Sequence, residues 1–254
     1  MSKSSTPQSS SELPSPEERY YVGSFWQARE ETVEACAQRA EIYFRLLAAC
    51  DPSLTHWYRT GWTLEEALKH HVEPTKDAFQ KEFGPEEERS PLFGLSLWLW
   101  SGDPSGNGSG THVSCGSASE WGSNRCMFDP PKEGTDKERL LQTPVLARVL
   151  RAMALAWEPE WGVVTSDLFR EQLSESAEVG TFLGWVTYLS HRRGPVPPLP
   201  SPILVEPVED KGTLITLSPE PFSASNPAHL ELARQVTELL SQAGLLGPLR
   251  PWGH

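Results

Sequence analysis

The residues best able to do chemistry are the histidines and cysteines, and their spacing argues against it. "KHHVE" (69–73) places His70 and His71 beside Glu73. An H-x-E core belongs to zinc-deaminase chemistry, but that chemistry needs a P-C-x-x-C pair to complete the metal shell, and none follows. A helix end with Lys and His near the negative pole of its dipole accounts for the same residues. His112 and Cys115 are three apart, and on a strand that spacing sends them to opposite faces. They read as an edge histidine and a buried cysteine rather than a thiol–imidazole pair. The four cysteines, Cys36, Cys50, Cys115 and Cys126, form no C-x-x-C pair and read as free, mostly buried thiols.

Nucleotide and hydrolase signatures are also missing. The chain has no P-loop, no G-x-G-x-x-G, no H-E-x-x-H and no G-x-S-x-G. "SGNGSG" (105–110) has the glycines of a phosphate cradle, but no helix carrying a lysine follows, so it reads as a hairpin loop. No local sequence supports a Ser/His/Asp grouping. The expectation is a protein with no catalytic residues, no metal and no cofactor, and not an enzyme.

What remains is binding. Acidic residues number 34 against 22 basic, for a net charge of −12. Phosphate contacts need Lys and Arg, so nucleic acid is not expected as a direct partner. The charge is either ordinary solubility charge or a field that steers a basic protein into place. The acidic groups expected to meet such a partner are Glu158, Glu160 and Asp167, then Glu86, Glu87 and Glu88. "HRRGPVPPLP" (191–200) has polyproline character, either as a stiff surface connection or as bait for a proline-reading domain. No run of about 18 apolar residues exists for a membrane span. The first residues have no apolar core of a secretory signal, so a cytoplasmic protein is expected.

The elements that must position these groups follow from periodicity. Residues 1–17 have almost nothing to bury and read as a disordered tail. "RYYVGSFW" (19–26) is a strand. From about Arg29 to Ala49, Val33, Cys36, Ala40, Phe44 and Leu47 form one apolar helical face. "LTHWYRTGW" (54–62) reads as a helical turn. Thr63 to Glu66 is a capping box for a short helix, and 74–84 is another. "LFGLSLWLW" (92–100) reads as a central strand apolar on both faces. It starts a meander through 111–119 and 124–128.

"TPVLARVLRAMALAW" (143–157) is the clearest helix, with Thr143 as cap and Pro144 at its first position. It runs into "WEPEWGVV" (157–164), where Pro159 stops it. Trp157, Pro159, Trp161 and Gly162 read as a structural corner, with Glu158 and Glu160 as its polar rim. "TFLGWVTYLS" (181–190), with Gly184 and Trp185, is a strand. Segments 203–208 and 213–217 form a hairpin, and Pro207 puts its first strand at an edge. Asn226-Pro227 starts the last helix, with Leu232, Val236, Leu239 and Ala243 expected inward and Gly244 closing it. Without regular β-α alternation this is an α+β fold: a single domain over 18–248, with a mainly antiparallel sheet packed by helices and a C-terminal tail at 249–254.

Five segments in this order, "YYVGSFW", "LSLWLW", "AWEPEWGVV", "GWVTYLS" and "HLELARQVTELLSQAGLL", resemble the immunity protein 52 family of bacterial polymorphic-toxin systems. The similarity spans about residues 19–246. W-x-P-x-W-G-V-V followed by G-W-x-T-Y-L-S is its most specific part. The resemblance implies a protein that binds and neutralises a cognate toxin, typically a nuclease of restriction-endonuclease-like fold, without catalysis or cofactor. The partner is then expected to be a basic DNase domain, with no direct nucleic-acid or membrane contact. Two other classes stay open on the residues alone: an adaptor using 195–200, and an enzyme whose site is dispersed along the chain.

Overall fold

The structure, a computed structural model, describes residues 18–102, 105–121, 124–174 and 177–249. The tail at 1–17 and residues 250–254 lie outside the described residues, but Leu249, at the start of the second expected tail, is buried. Ten strands form one antiparallel sheet: β1 (Tyr20–Trp26), β2 (Trp57–Arg59), β3 (His71–Val72), β4 (Leu95–Trp100), β5 (Gly110–Cys115), β6 (Asn124–Asp129), β7 (Trp161–Ser166), β8 (Val186–Ser190), β9 (Leu204–Val208) and β10 (Gly212–Thr216). Their order across the sheet is β3-β2-β4-β5-β6-β1-β7-β8-β10-β9. Around the sheet lie α1 (Val33–Ala48), α2 (Leu64–Leu68), α3 (Lys76–Phe83), α4 (Gly134–Leu140), α5 (Thr143–Trp157), α6 (Asp167–Leu173) and α7 (Pro227–Gln242). The expected α+β class is the one observed. Among the described residues no helix is long and apolar enough to cross a membrane.

Strand alternation sorts the sheet into two faces. The inner face carries Val22, Ser24 and Trp26 of β1, Leu95, Leu97 and Leu99 of β4, and Cys126 and Phe128 of β6, all buried. Helices α1 and α5 pack on it. Trp26 stacks on Trp157 of α5 with ring centroids 5.6 Å apart, and the Tyr43 hydroxyl of α1 lies 3.3 Å from Thr111 of β5. The helix faces match this role: Cys36, Ala40, Phe44 and Leu47 of α1 are buried, as are Val149, Met153 and Trp157 of α5. All four cysteines are free and buried.

Two glycines of the corner segments allow close approach. A Cβ at Gly162 would stand 2.8 Å from Leu150 Cδ1, so its absence lets α5 settle onto β7. A Cβ at Gly184 would stand 2.2 Å from the Val164 carbonyl oxygen. Trp157, Trp161 and Trp185 are each fully buried, and Glu158 ends α5 in the left-handed region at φ 48°. The three tryptophans of the corner segments thus lie in the core.

Several expectations are corrected. Within 54–62, in place of the expected helical turn, Trp57–Arg59 forms β2, after a 3-10 turn at Pro52–Leu54. The buried Trp57 indole donates to the Leu54 carbonyl, and Tyr58 pairs with Trp100 of β4. Thr143 does not cap α5. It is the first helical residue, after Gln142, and its hydroxyl donates to the Pro219 carbonyl instead. The inward stripe of α7 is Leu230, Ala233, Val236 and Leu240; Leu239 is half-buried and Ala243 exposed, a rotation of about one position. The strand of 181–190 is confined to 186–190, because 181–185 crosses over β7. Helices α4 and α6 had no counterpart in the sequence reading. Pro207 does lie on an edge strand, β9. Strand β4 is not apolar-covered on both sides: its second face is open, and that face carries the site.

Candidate functional site

The outer face of the sheet is divided. Over β7, β8 and β10 it is buried: Trp161, Val163, Thr187, Leu189 and Ile215 all lie out of solvent. The crossing 177–185 segment puts Phe182 edge-on to Trp161 at 5.0 Å, while α6 packs at the end of β7 with α7 against it. Over β4, β5, β6 and β1 no helix follows among the described residues. The uncovered half contains a groove of about 460 Å³, bounded by Trp161 and Phe182 on one side and Trp98 on the other.

Register fixes the floor of this groove. One row across the strands runs Ser96, Ser114, Arg125, Phe25 and Trp161. The next runs Trp98, His112, Met127, Gly23 and Val163. At the β4 side, Trp98 stacks on His112 with centroids 3.6 Å apart and planes 13° from parallel. Trp98 is still 57% exposed, so this large apolar ring faces water with one side free.

His112 lies beneath it, with Nε2 3.3 Å from the Ser96 hydroxyl and 3.1 Å from that of Ser114. Burial, helped by the positive Arg125, lowers its pKa to about 4. The imidazole is neutral at physiological pH and a weak base. Two serines share one nitrogen, and no described carboxylate orients the other. This is a poor nucleophile–base pair and a good rigid platform. The expected edge position of His112 is corrected here: β5 is interior to the sheet.

Charge along β6 is polar from end to end. Arg125, Met127 and Asp129 share the outer face, so a cation and a carboxylate lie about 13 Å apart with an apolar side chain between. Burial, and then the negative Asp167, raise the Asp129 carboxyl above its ordinary range. Asp167, at the start of α6, stands 3.5 Å from Arg170, which donates to the Tyr21 hydroxyl at 3.3 Å and lies over the Tyr21 ring at 5.9 Å. Among the described residues no group of three His, Cys, Asp or Glu is placed to hold a metal ion. His70, His71 and Glu73 reduce to one contact, His71 to Glu73 at 3.4 Å.

The six acidic residues singled out in the sequence are not brought together. Asp167 alone borders the groove. Glu160 lies just before β7 and Asp167 just after it, about 20 Å apart along the strand. Glu158 is engaged internally, with Lys211 at 2.6 Å and Arg39 at 3.7 Å, and these cations pull its pKa down, Lys211 most. Glu86 accepts from the Val33 amide and from Arg89. Glu87 and Glu88 are exposed. Glu158 and Glu86 do share one end of the sheet, joined by Arg39 and Arg89, which both bond to Glu31. The sequence reading missed Tyr21, Phe25, Trp98, Arg125, Met127 and Asp129. The alternation of β1 and β6 carries a signal for five of them, since Tyr21 and Phe25 of β1 and Arg125, Met127 and Asp129 of β6 fall on the face opposite the helices.

A family model described as Immunity protein 52 matches residues 18–249. Among solved structures, the fold is similar to the Pseudomonas aeruginosa T6SS protein PA0821, at TM-score 0.52 and 15% identity over 93% of this chain and 76% of that one. No protein of curated function matches the chain significantly.

Proposed function

The chain belongs to the immunity protein 52 family, and from that premise we propose that it neutralises its cognate toxin by stoichiometric binding through the open half of the sheet. Membership implies an immunity protein of a toxin system. The finer reading is that the toxin is a basic nuclease domain of restriction-endonuclease-like fold, met in the cytoplasm, and that the chain acts without catalysis, cofactor or direct contact with nucleic acid. The family match over 18–249 carries the neutralising role, and the acidic charge of the chain supports a basic partner. The geometry supports it: a half-face with an exposed tryptophan, clamped on a neutral histidine and ringed by opposite charges, suits a protein partner. The fold shared with a T6SS protein fits a toxin passed between bacteria.

An adaptor role for 195–200 is less well supported. Val196 and Leu199 pack against the core, which leaves little of the proline segment free on more than one side. The test is to express the toxin encoded beside this chain in a sensitive host, with and without the chain, and to measure binding of the purified proteins. Survival only with the chain, and a 1:1 complex, are expected. Equal killing and no complex would overturn the reading.

A further inference from the structure

One end of the sheet carries a second surface that the groove does not include. Ser90 and Gly94 exchange two backbone hydrogen bonds, of 3.0 and 2.8 Å, and close a tight loop with Leu92 and Phe93 at its tip. Gly94, at φ 69°, lies so close to β5 that a Cβ would stand 2.2 Å from the Cys115 carbonyl oxygen. The Leu92 carbonyl accepts from the Ser117 hydroxyl, which also accepts from the Ser119 amide, and the Ser119 hydroxyl accepts from the Trp121 amide. The backbone at Leu92 and Trp121 is thus tied by one chain of hydrogen bonds at the same end of β4 and β5, and Leu92, Phe93 and Trp121 are 39%, 51% and 82% exposed. Single exposed apolar residues are ordinary, but three held by one hydrogen-bonded scaffold are a preorganised patch.

The exposed charge in the chain leading to this loop is mainly acidic, with Lys81 of α3 as an exposed cation. Arg29 donates to Glu31 and the Trp157 carbonyl, and Arg39 to Glu31 and the Ala156 carbonyl. Arg89 donates to Glu86 and to the carbonyls of Gly116 and Glu31. The local arginines are consumed inside the corner, whereas Glu30, Glu87 and Glu88 are exposed. We propose that Leu92, Phe93 and Trp121, rimmed by Glu87 and Glu88, form an anchor for a basic partner surface bearing an apolar socket, and that this partner is the toxin. The inference rests on the immunity reading and adds a contact outside the groove. The apolar side chains hold the complex once formed, and the glutamates speed its formation.

The test measures association and dissociation rates of the toxin domain with the full chain and three variants. For the Phe93→Ser/Trp121→Ser double variant, a dissociation rate raised at least 30-fold with little change in association is expected. For Glu87→Lys/Glu88→Lys, association slows several-fold at low salt and the difference fades at high salt. Trp62→Ala, an exposed tryptophan beyond the patch, is expected to bind as the parent does. All substituted side chains are exposed, and circular dichroism with the denaturation midpoint checks folding. Covalent surface labelling of the unmodified chain gives a readout free of substitution: Phe93 and Trp121 lose reactivity in the complex. If the parent binds toxin tightly while the double variant matches it and labelling is unchanged, the anchor is wrong and the immunity reading stands. If the parent binds no toxin, both fall.

Discussion

The two faces of β4 are built from one six-residue strand and do opposite things. Leu95, Leu97 and Leu99 point to the helix side, with α3 against the strand, and vanish from solvent; Ser96, Trp98 and Trp100 point away and, among the described residues, have no helix over them. The same division recurs on a larger scale across the outer face, where β7, β8 and β10 are covered and β4, β5, β6 and β1 are not. A buried tryptophan, Trp157 against the inner face or Trp161 on the covered part of the outer face, belongs to the fold. Trp98 contributes little to folding, since a ring more than half exposed has removed little area from water. The difference teaches that a large aromatic marks a core only when an element exists to lie on it.

The largest effect that would sharpen this comparison is on stability. Trp157→Ala should cost about 3–5 kcal/mol, because it empties a site between Trp26 and Tyr43. Trp98→Ala should cost about 1 kcal/mol or less by the same denaturant titration. Comparable losses at both positions would break the distinction. In toxin affinity the order reverses: Trp98→Ala is expected to weaken binding by about 30-fold or more, as truncation of a central aromatic anchor does.

A smaller effect separates ion pairs that hold the fold from charges that face outward. The Asp51 carboxyl is held at a pKa of about 2, chiefly by Arg139, which bonds it at 2.5 and 2.8 Å. Its folded pKa lies below the unfolded one, so the stabilisation is complete above about pH 4 and is lost as pH falls towards 2. Replacing Asp51 with Asn should flatten the acid limb of stability and cost about 1–2 kcal/mol at neutral pH, less than a fully buried pair because Arg139 is half-exposed. Glu158→Lys should cost about 1 kcal/mol by setting three cations, Arg29, Arg39 and Lys211, against a fourth. Glu88→Lys, at an exposed site, should leave the denaturation midpoint unchanged.

The smallest effect is spectroscopic. With its pKa near 4, His112 should show flat imidazole NMR shifts from pH 5.5 to 8. Trp98→Ala uncovers it and should bring the titration up towards the ordinary histidine range near 6.5. A parent His112 that titrates near 6.5 would mean that the stack does not shield it.

Much of the fold was legible in the sequence for plain reasons. Helices α1 and α5 carry long 3.6-residue stripes, and the 157–162 corner has a proline that stops one and a glycine that admits close packing. The hairpin of β9 and β10 has a short turn and a proline that fits only an edge. The misreadings have a shared cause. "LSLWLW" reads as apolar on both faces because tryptophan is apolar, although its alternate residues Ser96 and Trp98 are exposed. Strands β2 and β3 are three and two residues long; β2 exists through pairing with β4 and β3 through pairing with β2, which no local pattern encodes. Glu158 and Glu160 stood out as an acidic pair, but whether a carboxylate faces a partner or a buried arginine depends on chain segments far away, here Arg39 and Lys211. The groove needed register: Arg125 meets Phe25 and Trp161 only once β6, β1 and β7 are aligned.

The open half-face is tested most directly by oxidative footprinting of the full chain, free and in complex with its toxin. Trp98 and Met127 are the reporters on the floor of the groove, and Trp62 is the exposed control. Binding at this face predicts that oxidation of Trp98 and Met127 falls sharply in the complex while Trp62 reacts as before. Full reactivity of Trp98 and Met127 in a complex that has silenced the toxin would contradict it.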